Sequence, residues 1–142
     1  MNERPNSAEQ IIRWIDKAEH DLLAAEHTMQ LAGSGLTDIV CFHCQQCAEK
    51  YLKALLVSLS VHFPKTHDLR LLLDLVPERV SLDLLRTRVI PLNRYVIEGR
   101  YPGEWEPITA EEAQEALAMA REVRTAVLAK LPDEMLDAGK QE

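Results

Sequence analysis

Apolar residues recur at spacings of four and three from the start of the chain. Ile11, Ile15, Ala18, Leu22, Ala25 and Met29 fall on one stripe of a helix. Ser7 and Gln10 ahead of them form a capping box. Gly33-Ser34-Gly35 ends the run, so a first helix is predicted to about Leu31, behind a short polar lead over residues 1–6. A second helix is predicted from about Thr37 to Ser60. Its main stripe is Val40, Cys44, Cys47, Tyr51, Leu55 and Leu59, widened by Leu52 and Leu56. Pro64 prevents it from running further, because proline lacks the N–H that an interior helical position must donate.

Thr66 is placed to cap a short third helix, roughly His67 to Val76, with Leu69, Leu72 and Leu73 facing inward and Pro77 closing it. Ser81 is read as the cap of a fourth helix through Leu84, Leu85, Val89, Leu92 and Val96. Pro91 lies inside that span and predicts a kink or a broken register. Two Gly and two Pro between Gly99 and Pro107 mark an ordered loop. Thr109 and Glu112 make a second capping box. It opens a fifth helix, about Ala110 to Leu131, with the stripe Ala113, Ala116, Ala120, Val123, Val127 and Leu131. The small residues of that stripe let a neighbour approach closely. Pro132 ends it, and the acidic last residues read as frayed.

No alternation with a period of two persists, and there is no internal repeat. Long helices joined by short connections give an all-α antiparallel bundle in a single domain, with its core over about residues 8–131. Two helices are long enough to run about 35 Å. One bundle core need not cover every apolar position on them, so a homodimer built by helix-on-helix packing is expected.

The totals narrow the function. The chain has 142 residues, 46% hydrophobic and 27% charged, with a net charge of −7. A negative chain lacks the clustered Lys and Arg of a general nucleic-acid binder, although a local basic pocket is compatible with it. No apolar run approaches the roughly 20 residues of a membrane span, and the start of the chain has no signal-peptide pattern. Cys41, Cys44 and Cys47 all fall within one helix, where disulfide geometry is poor. Reduced thiols and a cytoplasmic location are expected.

The chemistry concentrates between Asp38 and Asp68. Gln45, Glu49 and Lys53, with Gln46 and Lys50 beside them, fill two adjacent rows on the second helix. They are either a solvated face or a polar groove for a phosphate or nucleotide. Lys65, Thr66 and His67 at a helix start suggest an anion-binding corner, or else simple capping with Asp68 complementing the helix dipole. The three Cys with His43 have Cys-x-x-Cys spacing. Ligands of that spacing normally converge on a turn, and here Cys44 and Cys47 lie on the core stripe, so they read as small buried hydrophobes and no metal is expected. Arg94, Tyr95, Arg100 and Tyr101 combine charge and rings suited to phosphate contact and stacking, but equally to pairing and core. Arg13 and His20 stand seven positions apart in the first helix. The chain has no Ser-His-Asp pattern, no phosphate-binding glycine loop and no His-Glu-x-x-His pattern.

Four segments in this order resemble one family. Trp14, Ala18, Asp21, Leu22 and Ala25 resemble the opening of the HEPN domain family. Gln45, Gln46, Glu49, Lys50, Lys53 and Ala54-Leu55-Leu56 resemble its most recognisable helix. Pro64-Lys65-Thr66-His67-Asp68-Leu69 resembles the loop that follows, and Arg100-Tyr101-Pro102 resembles a segment of many standalone members. The resemblance spans about residues 8–131. It implies a five-helix up-and-down bundle, commonly a homodimer. It also implies a small nucleotidyltransferase as partner, in two-component modules of which several are toxin–antitoxin pairs. Some members are metal-independent ribonucleases carrying an Arg followed after four to six residues by a His in the later helices. This chain departs from that pattern, since no His follows His67.

The expectation is therefore a non-catalytic protein that binds a nucleotide or docks the nucleotidyltransferase, without a cofactor. Contacts are expected from Gln46, Lys50, Lys53, His67, Arg94, Arg100 and Tyr101, with Lys and Arg on phosphate and Tyr stacking. The alternatives are a ribonuclease acting on RNA through Arg13 and His20, or through Arg100 and His67, and a purely structural partner subunit.

Overall fold

The computed structural model describes residues 7–31, 35–96 and 107–135. Three long helices dominate: α1 (Ser7–Gln30), α2 (Thr37–Ser58) and α5 (Ala110–Lys130). The short α3 (Leu69–Leu75) and α4 (Asp83–Val89) lie between α2 and α5, with a 3₁₀ turn at Glu78–Val80 and a 3₁₀ segment at Ile90–Tyr95. No strand occurs among the described residues. The protein is an all-α helical bundle. No helix of the described residues is long and apolar enough to cross a membrane.

α2 is the central element, packed against α1, α5, α3 and the second 3₁₀ segment. α1 runs antiparallel to it, so Trp14 lies by Lys53 and Asp21 by Lys50. α5 runs antiparallel to α1, since Glu19 meets Arg124 while Glu26 meets Arg121. α5 therefore points the same way as α2, and their starts are tied by the Thr37 hydroxyl, which donates to the Ile108 carbonyl at 2.7 Å. Ala113, Ala116 and Ala120 are buried on α5, where they permit a close helix–helix approach. The centre is filled by Tyr51, Leu52, Leu55, Leu56, Leu69, Leu72 and Leu92, all fully buried. Truncating one such Leu to Ala in a packed core costs about 2–5 kcal/mol.

Helix ends differ from the sequence reading in three places. α2 stops at Ser58, before Pro64 can act. Ser60 takes the left-handed conformation (φ 57°). Its N–H donates to the Val57 carbonyl, and the Val61 N–H donates to the Leu56 carbonyl. This is the Schellman closure that usually employs glycine. Thr66 does not cap α3. Asp68 does, accepting from the Arg70 N–H, while Thr66 accepts from the Asp68 N–H in a local turn. The predicted fourth helix breaks as Pro91 requires: α4 ends at Val89 and the chain tightens to 3₁₀. Ser81 is left-handed (φ 60°) and does not cap it, leaving Leu82 at that position without a side-chain cap. At the start of α5 Thr109 caps as expected, accepting from the Glu112 N–H at 3.0 Å.

Candidate functional site

The polar row of α2 is neither a solvated face nor an open groove. Gln45, Glu49 and Lys53 are buried, at 0%, 2% and 6% exposure. Because α2 is enclosed from several sides, its polar rows are covered by α1 and by the chain entering α3. Each buried polar atom must then find an internal partner, and among the described residues none lacks one.

Glu49 is the hub. Its Oε2 accepts from Lys53 Nζ at 3.0 Å, and its Oε1 accepts from His67 Nδ1 at 2.8 Å and from Gln46 Nε2 at 3.3 Å. A carboxylate offers only acceptors, so His67 carries its proton on Nδ1. Gln45 Nε2 donates to the His67 carbonyl at 2.9 Å, and its Oε1 accepts from Gln46 Nε2 at 2.6 Å. Lys53 also sits over two rings, 5.2 Å from the Trp14 centroid and 5.8 Å from that of Phe63. Glu49 and Lys53 satisfy the condition under which a buried ion pair is tolerated: mutual charge, with further donors on the remaining lone pairs.

A second cluster lies one turn away. Asp21 of α1, 8% exposed, accepts from Lys50 Nζ at 2.6 Å and from His43 Nδ1 at 2.8 Å. A third joins the Tyr51 hydroxyl and Arg124 to one oxygen of Glu19. The cations expected on a ligand are thus held by the protein itself, Lys53 by Glu49 and Lys50 by Asp21.

Arg94 does not join them. Arg94 is exposed, stacked 6.0 Å from the Tyr95 ring and 4.0 Å from Glu112. Arg100 and Tyr101 lie outside the described residues. The expected anion corner at residues 65–67 is occupied: the Arg70 N–H goes to Asp68, and the Leu69 N–H goes to Asn93 Oδ1 at 2.8 Å. Asn93 Nδ2 in turn donates to Asp68 at 2.9 Å. Cys41, Cys44 and Cys47 sit in the core, as the stripe predicts. All three thiols are buried and form no disulfide. Burial pushes the Cys41 thiol up to about 11, against a hydrogen bond from Tyr95 that lowers it. Burial raises Cys44 and Cys47 as well, favouring the unreactive thiol.

Asp21 and Trp14 were the residues that sequence chemistry undervalued. An acid within the apolar register of α1, between Ala18 and Ala25, was the available signal. The structure brings three of the family-like segments together. Trp14 and Asp21 from the first, Glu49, Lys50 and Lys53 from the second and His67 from the third close onto one another.

An all-helical bundle whose central helix carries an internal charge hub defines the class, a helical bundle domain with interlocked motifs. Residues 11–131 match the HEPN domain family, and the chain belongs to that family. Among solved structures it is similar to TT1696 from Thermus thermophilus. Identity is 31%, the match covers 86% of this chain and 98% of that one, and the TM-score is 0.74. It also shares its fold with ST0689, an archaeal HEPN homologue, at 23% identity, the same coverages and a TM-score of 0.69. No curated protein matches the sequence.

Proposed function

We propose that this chain is a non-catalytic HEPN subunit that docks a small nucleotidyltransferase in a two-component module, itself acting as a homodimer. The observation that carries the reading is the internal use of the α2 row. Lys50, Lys53, His43 and His67 are each tied to a buried carboxylate. Binding phosphate there would require breaking those pairs, and a stranded buried charge costs about 3–5 kcal/mol.

The ribonuclease alternative has less support. Seven residues along α1 place Arg13 and His20 about 10 Å apart along the helix axis. That spacing matches the family's Arg–His pair, but both residues lie on α1 and not in the later helices where the resemblance places the motif. His67, the other candidate, is engaged by Glu49. Docking has a surface in Leu23, Leu31 and Ile39, large apolar side chains 55%, 61% and 40% exposed. Leu23 lies in the last two turns of α1, Leu31 directly after it and Ile39 in the first turn of α2, and such exposed apolar side chains suit contact with a partner.

The test is co-purification with the nucleotidyltransferase encoded beside it, with the mass measured by light scattering. A complex is expected, and Leu23→Asp with Ile39→Asp should lower its affinity about tenfold or more. Failure of the wild-type chains to associate, or RNA cleavage by the purified chain alone, would overturn the reading.

A further inference from the structure

A cleft of about 670 Å³ opens between the first turns of α1 and the chain leaving α2. One wall is apolar. Trp14 and Phe63 meet edge to face with centroids 6.2 Å apart, and Val57 and Val61 extend the wall. The chain along this wall has no regular structure. Residues 61–64 form neither helix nor turn. The N–H and carbonyl groups of His62 and Phe63 make no hydrogen bond among the described residues. Main-chain groups left open beside an apolar wall can pair with an incoming peptide, whose own backbone supplies the complementary donors and acceptors.

The rim is basic. Arg13 and Lys17, both exposed, lie four apart on one face of α1, and the exposed His62 lines the cleft from the α2 side. None of the described residues lining the cleft is acidic, in a chain with 23 Asp and Glu against 16 Lys and Arg. Elsewhere the long helices neutralise their cations: Lys50 on Asp21, Arg121 on Glu26 and Arg124 on Glu19. Among the described residues Arg13, Lys17 and His62 have no ion-pair partner. Cations gathered without carboxylates attract a partner's acids and fix which way it lies.

We propose that this cleft takes an acidic segment of a partner protein, laid along residues 61–63, with an aromatic side chain on the Trp14–Phe63 wall and carboxylates on Arg13 and Lys17. The three features of the cleft recognise three parts of one ligand: main chain, ring and acid. A basic segment finds no counter-charge there, and an acidic one without a ring leaves the wall unused. A long polyanion is disfavoured, because beyond the rim it runs over a chain of net charge −7. The cleft uses none of the exposed apolar residues at the α1–α2 connection, so the inference stands apart from docking of the nucleotidyltransferase.

The test uses the full chain carrying Trp105→Phe, so that Trp14 is the remaining tryptophan. A capped Ser-Glu-Asp-Phe-Glu-Asp-Ser peptide is titrated by calorimetry and by Trp14 fluorescence. Alongside it run the same peptide with alanine for phenylalanine, the same peptide with its acids replaced by amides, and a short uridine oligonucleotide. Saturable binding of the first peptide that shifts Trp14 emission is expected, with each altered peptide weaker by about tenfold or more. Arg13→Ala with Lys17→Ala should weaken binding about tenfold while leaving the melting curve unchanged. Arg79→Ala, which removes an exposed cation that does not line the cleft, should leave binding unchanged. Absence of saturable binding, binding that leaves Trp14 unaffected, an altered peptide or the oligonucleotide binding as tightly, unchanged affinity in the double variant, or an equal loss in Arg79→Ala would each overturn the proposal.

Discussion

His67 and Glu49 stand eighteen residues apart, and the structure brings His67 Nδ1 to 2.8 Å from Glu49 Oε1. The contact ties the loop before α3 to the middle of α2. Lys53 completes it from the other carboxylate oxygen, so three of the most recognisable residues of the chain serve one interior cluster.

Breaking that cluster from one side should be severe. Glu49→Ala leaves Lys53 buried at 6% exposure without its counter-charge, and a loss of about 3–5 kcal/mol in urea-unfolding free energy is expected. Glu49→Leu combined with Lys53→Met should recover most of it, because an apolar pair of similar volume removes both charges. A single-variant loss below about 1 kcal/mol would show that water reaches Lys53.

Asn93 supports the Asp68 cap that replaces the one the sequence assigned to Thr66. It accepts from the Leu69 N–H and donates to Asp68. Asn93→Ala should cost about 1–2 kcal/mol, whereas Thr66→Ala, which removes only a local turn contact, should cost less. Thermal unfolding of the two variants in parallel decides the order.

Ser60 holds a left-handed conformation that disfavours a side chain. Ser60→Gly relieves this in the folded state and should raise stability by about 0.5–1 kcal/mol. An unchanged or lower melting temperature would mean that the greater freedom of glycine in the unfolded chain outweighs the relief.

Alkaline pH should destabilise the fold. Burial lifts Cys41 from 9.0 to about 11 and Tyr95 from 10.0 to about 12. The unfolded chain therefore releases these protons first as pH rises. Stability from the protonated forms is complete below pH 9 and lost progressively through pH 11 to 12. Urea midpoints should stay level near neutral pH and fall above pH 9, less steeply in Cys41→Ala. An equal fall in that variant would assign the effect to other groups.

The sequence by itself determined the helices, because a stripe at spacings of three and four is a local property. Ile11 to Ala25 and Ala113 to Val127 each report their own inward face without a partner. It also determined the family, since Trp14, Asp21, Glu49, Lys53 and His67 are legible as a pattern along the chain. Tertiary structure alone decided what those polar residues do. Whether Glu49 and Lys53 meet solvent depends on whether α1 and the loop before α3 cover that side of α2, which no local spacing encodes. The same enclosure turned an expected binding row into an internal brace. Among the described residues it also left Arg13 and Lys17 without an ion pair at the other end of α1, where a cleft opens beside Trp14. The stretch from Asp38 to Asp68 is therefore the interior frame of the bundle.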